Sequence, residues 1–301
     1  MNDIIAKAAG FVIIILLAYA LKKIGVFKIE DKRVFGGMLI NINLPCVIIS
    51  GFQSFQYDTS LVVAMVIGLF ASFMGIFVGY LVSRKKDKES KILHMMCTPG
   101  YNIGIFTVPF VASFLSPTAV ICVLMFDVGN AIMVFGTTAA ITSAVVNKER
   151  GNPIPAILKR LFTTVPFVTY IVMVLIPTLG FSLPKEVYVI TDIGANATAF
   201  LAMIMIGIMI EFKIKKDDLK QTTSALLARY GHSFFVSLVI FFLPYDIEIR
   251  KALIIAMLSP LSTSSIVFGE NLGGKPSALA VFSSLNIIIS MMLIIAVVVF
   301  M

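Results

Sequence analysis

The sequence predicts an all-α integral membrane protein of ten transmembrane helices, built as two inverted five-helix repeats. Three observations carry that reading. Of 301 residues, 59% are apolar and 13% charged, against about 25% charged in soluble domains, so no soluble core can hold the apolar surface. The apolar residues fall in runs of roughly 20, the length that crosses the hydrocarbon layer as a helix, and strand-type alternation is absent. Two of these runs carry the same break, a Ser or Thr followed by Pro, five runs apart. Three cysteines without a framework spacing exclude a disulfide-stapled secreted domain.

Span 1 is read at 4–21. Ala18-Tyr19-Ala20 mimics a signal-peptide cleavage site, but Lys22 and Lys23 follow the apolar run, whereas a signal peptide carries its charges before it. Spans 2 and 3 lie at 34–52 and 61–82, the latter with the close-packing motif Gly75-x-x-x-Gly79. Spans 4 and 5, at 92–114 and 118–146, complete a first repeat over 1–147. The second repeat, 148–301, holds spans 6 to 10 at 161–179, 186–210, 222–244, 251–271 and 277–300. The connectors, the longest around Gly151-Asn152-Pro153, are too short for a soluble domain.

Charge sets the expected orientation. Of 24 Lys and Arg, nineteen lie in the connectors after spans 1, 3, 5, 7 and 9, and four (Lys7, Lys185, Arg250 and Lys251) lie on the alternate side. Positive charge near span ends stays in the cytoplasm, so both termini are expected outside. The net charge of +8 is thereby topogenic and faces membrane lipids; it does not imply a nucleic-acid partner.

Thr98-Pro99 in span 4 and Ser259-Pro260 in span 9 sit near mid-run and are 161 residues apart. The offset of five spans is odd, which turns the second half upside down, as in transporters built from inverted repeats. Weaker correspondences set Asn41, Asn43 and Pro45 in span 2 against Asn196 in span 7, and Asp127 and Asn130 in span 5 against Ser283, Ser284 and Asn286 in span 10. Proline ends a helix but suits the first position of a new one, with Ser or Thr before it as N-cap. Each pair therefore reads as the restart of a half-helix whose free N–H groups face an anion at mid-membrane. A substrate there meets Pro99, Gly100, Tyr101, Asn102 and Gly104 from one side, and Pro260, Ser262, Thr263, Ser264 and Ser265 from the other. Asn43 and Asn196 are added as neutral donors.

The stretch Asn102-Ile-Gly104-Ile-Phe-Thr107-Val-Pro109 resembles the fourth helix of the auxin efflux carrier family, with Thr107 where family members have a second glycine. Asn43-Leu44-Pro45, Phe126-Asp127-Val128-Gly129-Asn130 and the stretch from Ser259-Pro260 to Ser265 extend the resemblance over the whole chain. It implies a ten-helix carrier with crossed, broken helices 4 and 9 that moves organic anions, as do plant auxin carriers and bacterial malate or malonate permeases. It further implies a scaffold and homodimer surface from spans 1, 2, 6 and 7, and a moving transport unit from spans 3–5 and 8–10. The short connector after span 5 lacks the long cytoplasmic loop of many plant members, which implies a minimal carrier of a prokaryotic plasma membrane.

Charges inside apolar runs read as functional. Asp127, with Asn130 three residues on, is a candidate carrier of a coupling proton or cation. Arg229 in span 8 is a candidate partner for Asp127 or for a substrate carboxylate, and His232 a candidate proton shuttle. His94 and Glu270, near span ends, are expected to be solvated. His94-Met95-Met96-Cys97 with Cys46 reads as apolar filling and not as a metal site, and no cofactor is expected. No paired acids, metal-spaced His pair or Ser/His/Asp group appears, so an intramembrane enzyme is disfavoured. The alternative function is a sodium- or proton-coupled symporter or antiporter on the same plan.

Overall fold

The computed structural model describes residues 2–54, 59–148, 154–210 and 216–301. Asp58, Arg150, Gly151-Asn152-Pro153, Lys213 and Lys215 lie outside the described residues. Within them the chain is helical and has no strand. Among the described residues, seven helical segments are long and apolar enough to cross a membrane: Ile4–Lys23, Ile29–Gly51, Ser60–Ser83, Pro117–Val146, Lys185–Met209, Asp218–Phe241 and Pro276–Phe300. The protein is an all-α membrane protein.

In chain order the helices are α1 (Asn2–Lys23), α2 (Lys32–Met38), α3 (Leu44–Gly51), α4 (Thr59–Ser83), α5 (Lys88–Cys97), α6 (Val108–Phe114), α7 (Pro117–Ile132) and α8 (Thr138–Val146). There follow α9 (Ile154–Thr163), α10 (Val165–Thr178), α11 (Lys185–Met209), α12 (Lys216–Phe241), α13 (Ile247–Met257), α14 (Thr263–Asn271) and α15 (Pro276–Phe300). Every apolar run of the sequence is occupied by helix. The runs read as spans 4, 6 and 9 are interrupted, at 98–102, at Thr164 and at 258–262. The break in span 6 was not expected: Thr164 is extended (ψ 118°) and Pro166 stands in the first turn of α10, where its missing N–H is harmless.

Three π-turns widen the helices, at Leu39–Asn43, Ile103–Thr107 and Met133–Thr137. Two of them stand just ahead of a proline, Pro45 and Pro109. A proline ring clashes with the carbonyl four residues back, and these carbonyls, of Asn41 and Ile105, lie inside the widened turns. Thr107 and Thr137 close their π-turns by donating side-chain hydrogen bonds to the carbonyls of Asn102 (3.4 Å) and Ile132 (2.7 Å).

Glycines set the helix contacts that hold the broken segments. A Cβ on Gly68 of α4 would stand 2.1 Å from the Phe126 carbonyl oxygen, and one on Gly129 of α7 would stand 2.0 Å from that of Met65, so α4 and α7 touch backbone to backbone. Gly75 and Gly79 do the same for the break: their Cβ positions lie 3.1 Å from Pro99 Cα and 2.5 Å from the His94 carbonyl oxygen. The Gly75-x-x-x-Gly79 motif therefore seats the end of α5 on α4.

At the amino end of α5, Asp87 caps the helix by accepting from Ser90 N at 3.2 Å, and the bond to Ser90 holds the Asp87 carboxyl below its ordinary value. His94 is not solvated, contrary to expectation; it is fully buried. Its Nδ1 donates to the Ser90 carbonyl at 2.7 Å, and its Nε2 meets Ser224 Oγ at 3.0 Å and Lys86 Nζ at 3.2 Å, tying α5 to α12. Glu270 is exposed.

Candidate functional site

The two broken runs cross at their breaks. The segments 98–102 and 258–262 form one antiparallel bridge between Tyr101 and Leu261, in which Asn102 N donates to the Pro260 carbonyl (2.8 Å) and Ser262 N to the Gly100 carbonyl (3.4 Å). Gly100 has φ +80°, and a Cβ there would stand 2.7 Å from Ser265 Oγ, so both conformation and space demand glycine.

An asparagine clasps each linker. The Asn130 amide accepts from Tyr101 N (3.0 Å) and donates to the Tyr101 carbonyl (2.9 Å). On the other linker, Asn286 accepts from Leu261 N (2.6 Å) and donates to Tyr230 (2.6 Å). Backbone groups freed by the breaks are thus satisfied from α7 and α15, as buried backbone requires.

The helix restarts differ from the expected position. Thr98 keeps helical backbone angles as the C-cap of α5, and Ser259 N donates to the Ala256 carbonyl at the end of α13. Pro99 and Pro260 lie in the linkers, and the second halves begin at Ile103 and Thr263, with Asn102 and Ser262 as N-caps. The bridge takes up the residues after each proline before helix can resume.

The first turns of both second halves open onto one cavity of about 200 Å³. Asn102, Gly104, Ser262, Thr263 and Ser264 line it, with Asp127 from α7. Neither Asn102 nor Ser262 uses its side chain to cap its own helix, and the leading N–H groups of a helix have no intrahelical partner. The rest of the wall is mostly apolar, with Ile48, Leu124 and Tyr170 among its residues. All three π-turns contribute to it, through Ile40, Ile103 and Val134. π-turns of this kind recur at functional sites.

The other expected residues have different surroundings. Tyr101 and Asn130 are buried and reach the cavity wall; Asn130 also donates to Asp127 Oδ1 (3.0 Å) and accepts from Ser72 Oγ (3.2 Å). Pro99, Gly100, Pro260 and Ser265 are buried behind the wall in the crossing itself. Asn43 donates to the Gly194 carbonyl (2.8 Å) and ties α3's leading turn to α11, whereas Asn196 is exposed on α11. His232 Nε2 donates to the Ala71 carbonyl (2.9 Å), and neither His232 nor Arg229 lines the cavity. Arg229, expected beside Asp127 or a substrate, is wholly buried and donates to five backbone carbonyls of the crossing.

Sequence reasoning missed Leu161, Thr164, Pro166 and Tyr170, which close the cavity from α9 and α10. Thr164-Val-Pro166 carries the same punctuation as the other breaks, one residue wider, and was the available signal. In comparison with known proteins, the chain matches no family model and no curated protein.

Proposed function

We propose that the protein is a secondary transporter of a small organic anion, resembling the auxin efflux carriers and working by alternating access. The observation that carries the proposal is the cavity onto which the first turns of two half-helices open. Each such turn presents unpaired N–H groups and about half a positive charge, a device that attracts a carboxylate with no Lys or Arg on the cavity wall. A volume of about 200 Å³ is below the range for drug-sized ligands, about 300 to 1,000 Å³, and suits a small acid.

The paired clasps, Asn130 on Tyr101 and Asn286 on Leu261, support a reading of the chain as two inverted five-helix repeats, 1–147 and 148–301. Spans 1, 2, 6 and 7 then form the scaffold and a homodimer surface, and spans 3–5 and 8–10 the moving unit. The charge split supports a plasma-membrane protein with both termini outside. Uptake of radiolabelled malonate, malate and indole-3-acetate into proteoliposomes, with imposed proton or sodium gradients, tests the proposal; uptake of at least one above protein-free vesicles is expected, and none of any would contradict it.

A second reading, a cation-coupled exchanger, is favoured by one feature, the Asp127 carboxyl on the cavity wall. In that case Asp127→Asn abolishes ion exchange, whereas an anion uniporter retains transport.

A further inference from the structure

Arg229 has an environment that neither of its expected roles explains. Its Nη1 donates to the carbonyl oxygens of Cys97 (2.9 Å), Thr98 (3.2 Å) and Pro99 (3.1 Å). Its Nη2 donates to those of Gly100 (3.1 Å) and Ser259 (2.8 Å). The guanidinium lies 4.9 Å from the centre of the Tyr101 ring, and the side chain is wholly buried. Its polar partners are backbone carbonyls, and no carboxylate pairs with it among the described residues.

These carbonyls share an origin: they belong to the carboxyl ends of α5 and α13 and to the linkers that follow. Each helix end carries about half a negative charge, and the two meet at the crossing. Carbonyl oxygens converging in this way replace the hydration shell of a metal cation, and in inverted-repeat carriers half-helix carboxyl ends coordinate a coupling sodium. A guanidinium supplies one positive charge and donors in a fixed fork.

We propose that Arg229 is a tethered cation that fills the crossing's own cation site, so that the crossing binds no inorganic cation and needs none. The site is a polarised pair. The carboxyl ends of the first halves face Arg229, and the amino ends of the second halves face the cavity. The consequence for coupling, a transport cycle independent of sodium, rests on the transport reading above; the consequence for stability does not.

Two variants of the purified, full-length protein test this. Arg229→Gln empties the site of charge and Arg229→Lys keeps one positive charge with fewer donors. Thermal unfolding is followed in sodium chloride and in choline chloride at equal ionic strength. Wild type and Arg229→Lys are expected to unfold at the same temperature in both salts, with Arg229→Lys below wild type. Arg229→Gln is expected to be the least stable in choline and to gain stability in sodium, since a ligand that binds only the folded state raises the midpoint. Sodium-specific stabilisation of wild type, or an Arg229→Gln variant as stable as wild type in choline, would overturn the proposal. If Arg229→Gln does not fold in either salt, the comparison of wild type with Arg229→Lys still decides, through the sodium response and the order of midpoints. Because these readouts need no substrate, failed anion uptake alongside the expected stability pattern would sink the transport reading and leave the cation site standing.

Discussion

Asp127 has its carboxyl on the same cavity wall as the two half-helix starts, with Tyr101 and Tyr170 as the other titratable groups of that wall. An ionised Asp127 opposes a bound carboxylate, and a protonated one does not. Anion affinity is therefore expected to rise as pH falls, and Asp127→Asn should flatten that profile at the high-affinity level. His232 is off the wall, so His232→Gln should leave the profile intact. A titration of malonate affinity against pH in the three proteins checks both expectations; an unchanged profile in Asp127→Asn would remove the residue from coupling. At this scale Asn102, Ser262, Thr263 and Ser264 were legible because polar groups following a helix break in an apolar run have few uses. Arg229 was misjudged because its partners are backbone carbonyls of residues 30 to 132 positions away, which side-chain chemistry along a sequence does not reveal.

Among the elements, the breaks in spans 4 and 9 could be read from Thr98-Pro99 and Ser259-Pro260, but the restart positions could not. Local capping rules favour a restart at proline; the inter-linker bridge overrides them by drawing Tyr101 and Leu261 into extended pairing. The π-turns before Pro45 and Pro109 have a sequence cause that is visible only once helix is established on both sides. Asn286 is the element-scale test of the clasp. Asn286→Ala strips the acceptor from Leu261 N–H and should destabilise the protein by about 1 to 3 kcal/mol, while Asn286→Asp keeps that acceptor and should lose less. Gly129→Ala pushes a methyl into the Met65 carbonyl and should lower stability by about 1 to 3 kcal/mol through forced separation of α4 and α7. Thermal unfolding in detergent reads both variants, and wild-type midpoints would contradict the contacts described.

For the whole molecule, composition alone made the membrane class legible, since 59% apolar residues have no soluble solution. The charge split predicts an orientation with both termini outside. In a cysteine-free background, a cysteine at the exposed Phe181 is expected to react with an impermeant thiol reagent from outside, and one at the exposed Lys85 is not; reversed labelling would invert the topology. The cavity itself was half legible: its polar side came from motifs, whereas the wall from α9 and α10 depends on a break that the apolar pattern conceals. The most direct test of the anion site is equilibrium binding of labelled malonate, malate and indole-3-acetate to purified, folded wild type, Asn102→Ala and Asn102→Asp. Loss of a charge-assisted hydrogen bond of about 1.5 to 3 kcal/mol predicts a ten- to roughly hundredfold weaker affinity for Asn102→Ala, and Asn102→Asp should be weaker still because it sets a like charge beside the anion. Equal affinity in all three proteins would place the anion elsewhere and contradict the site between the half-helix starts.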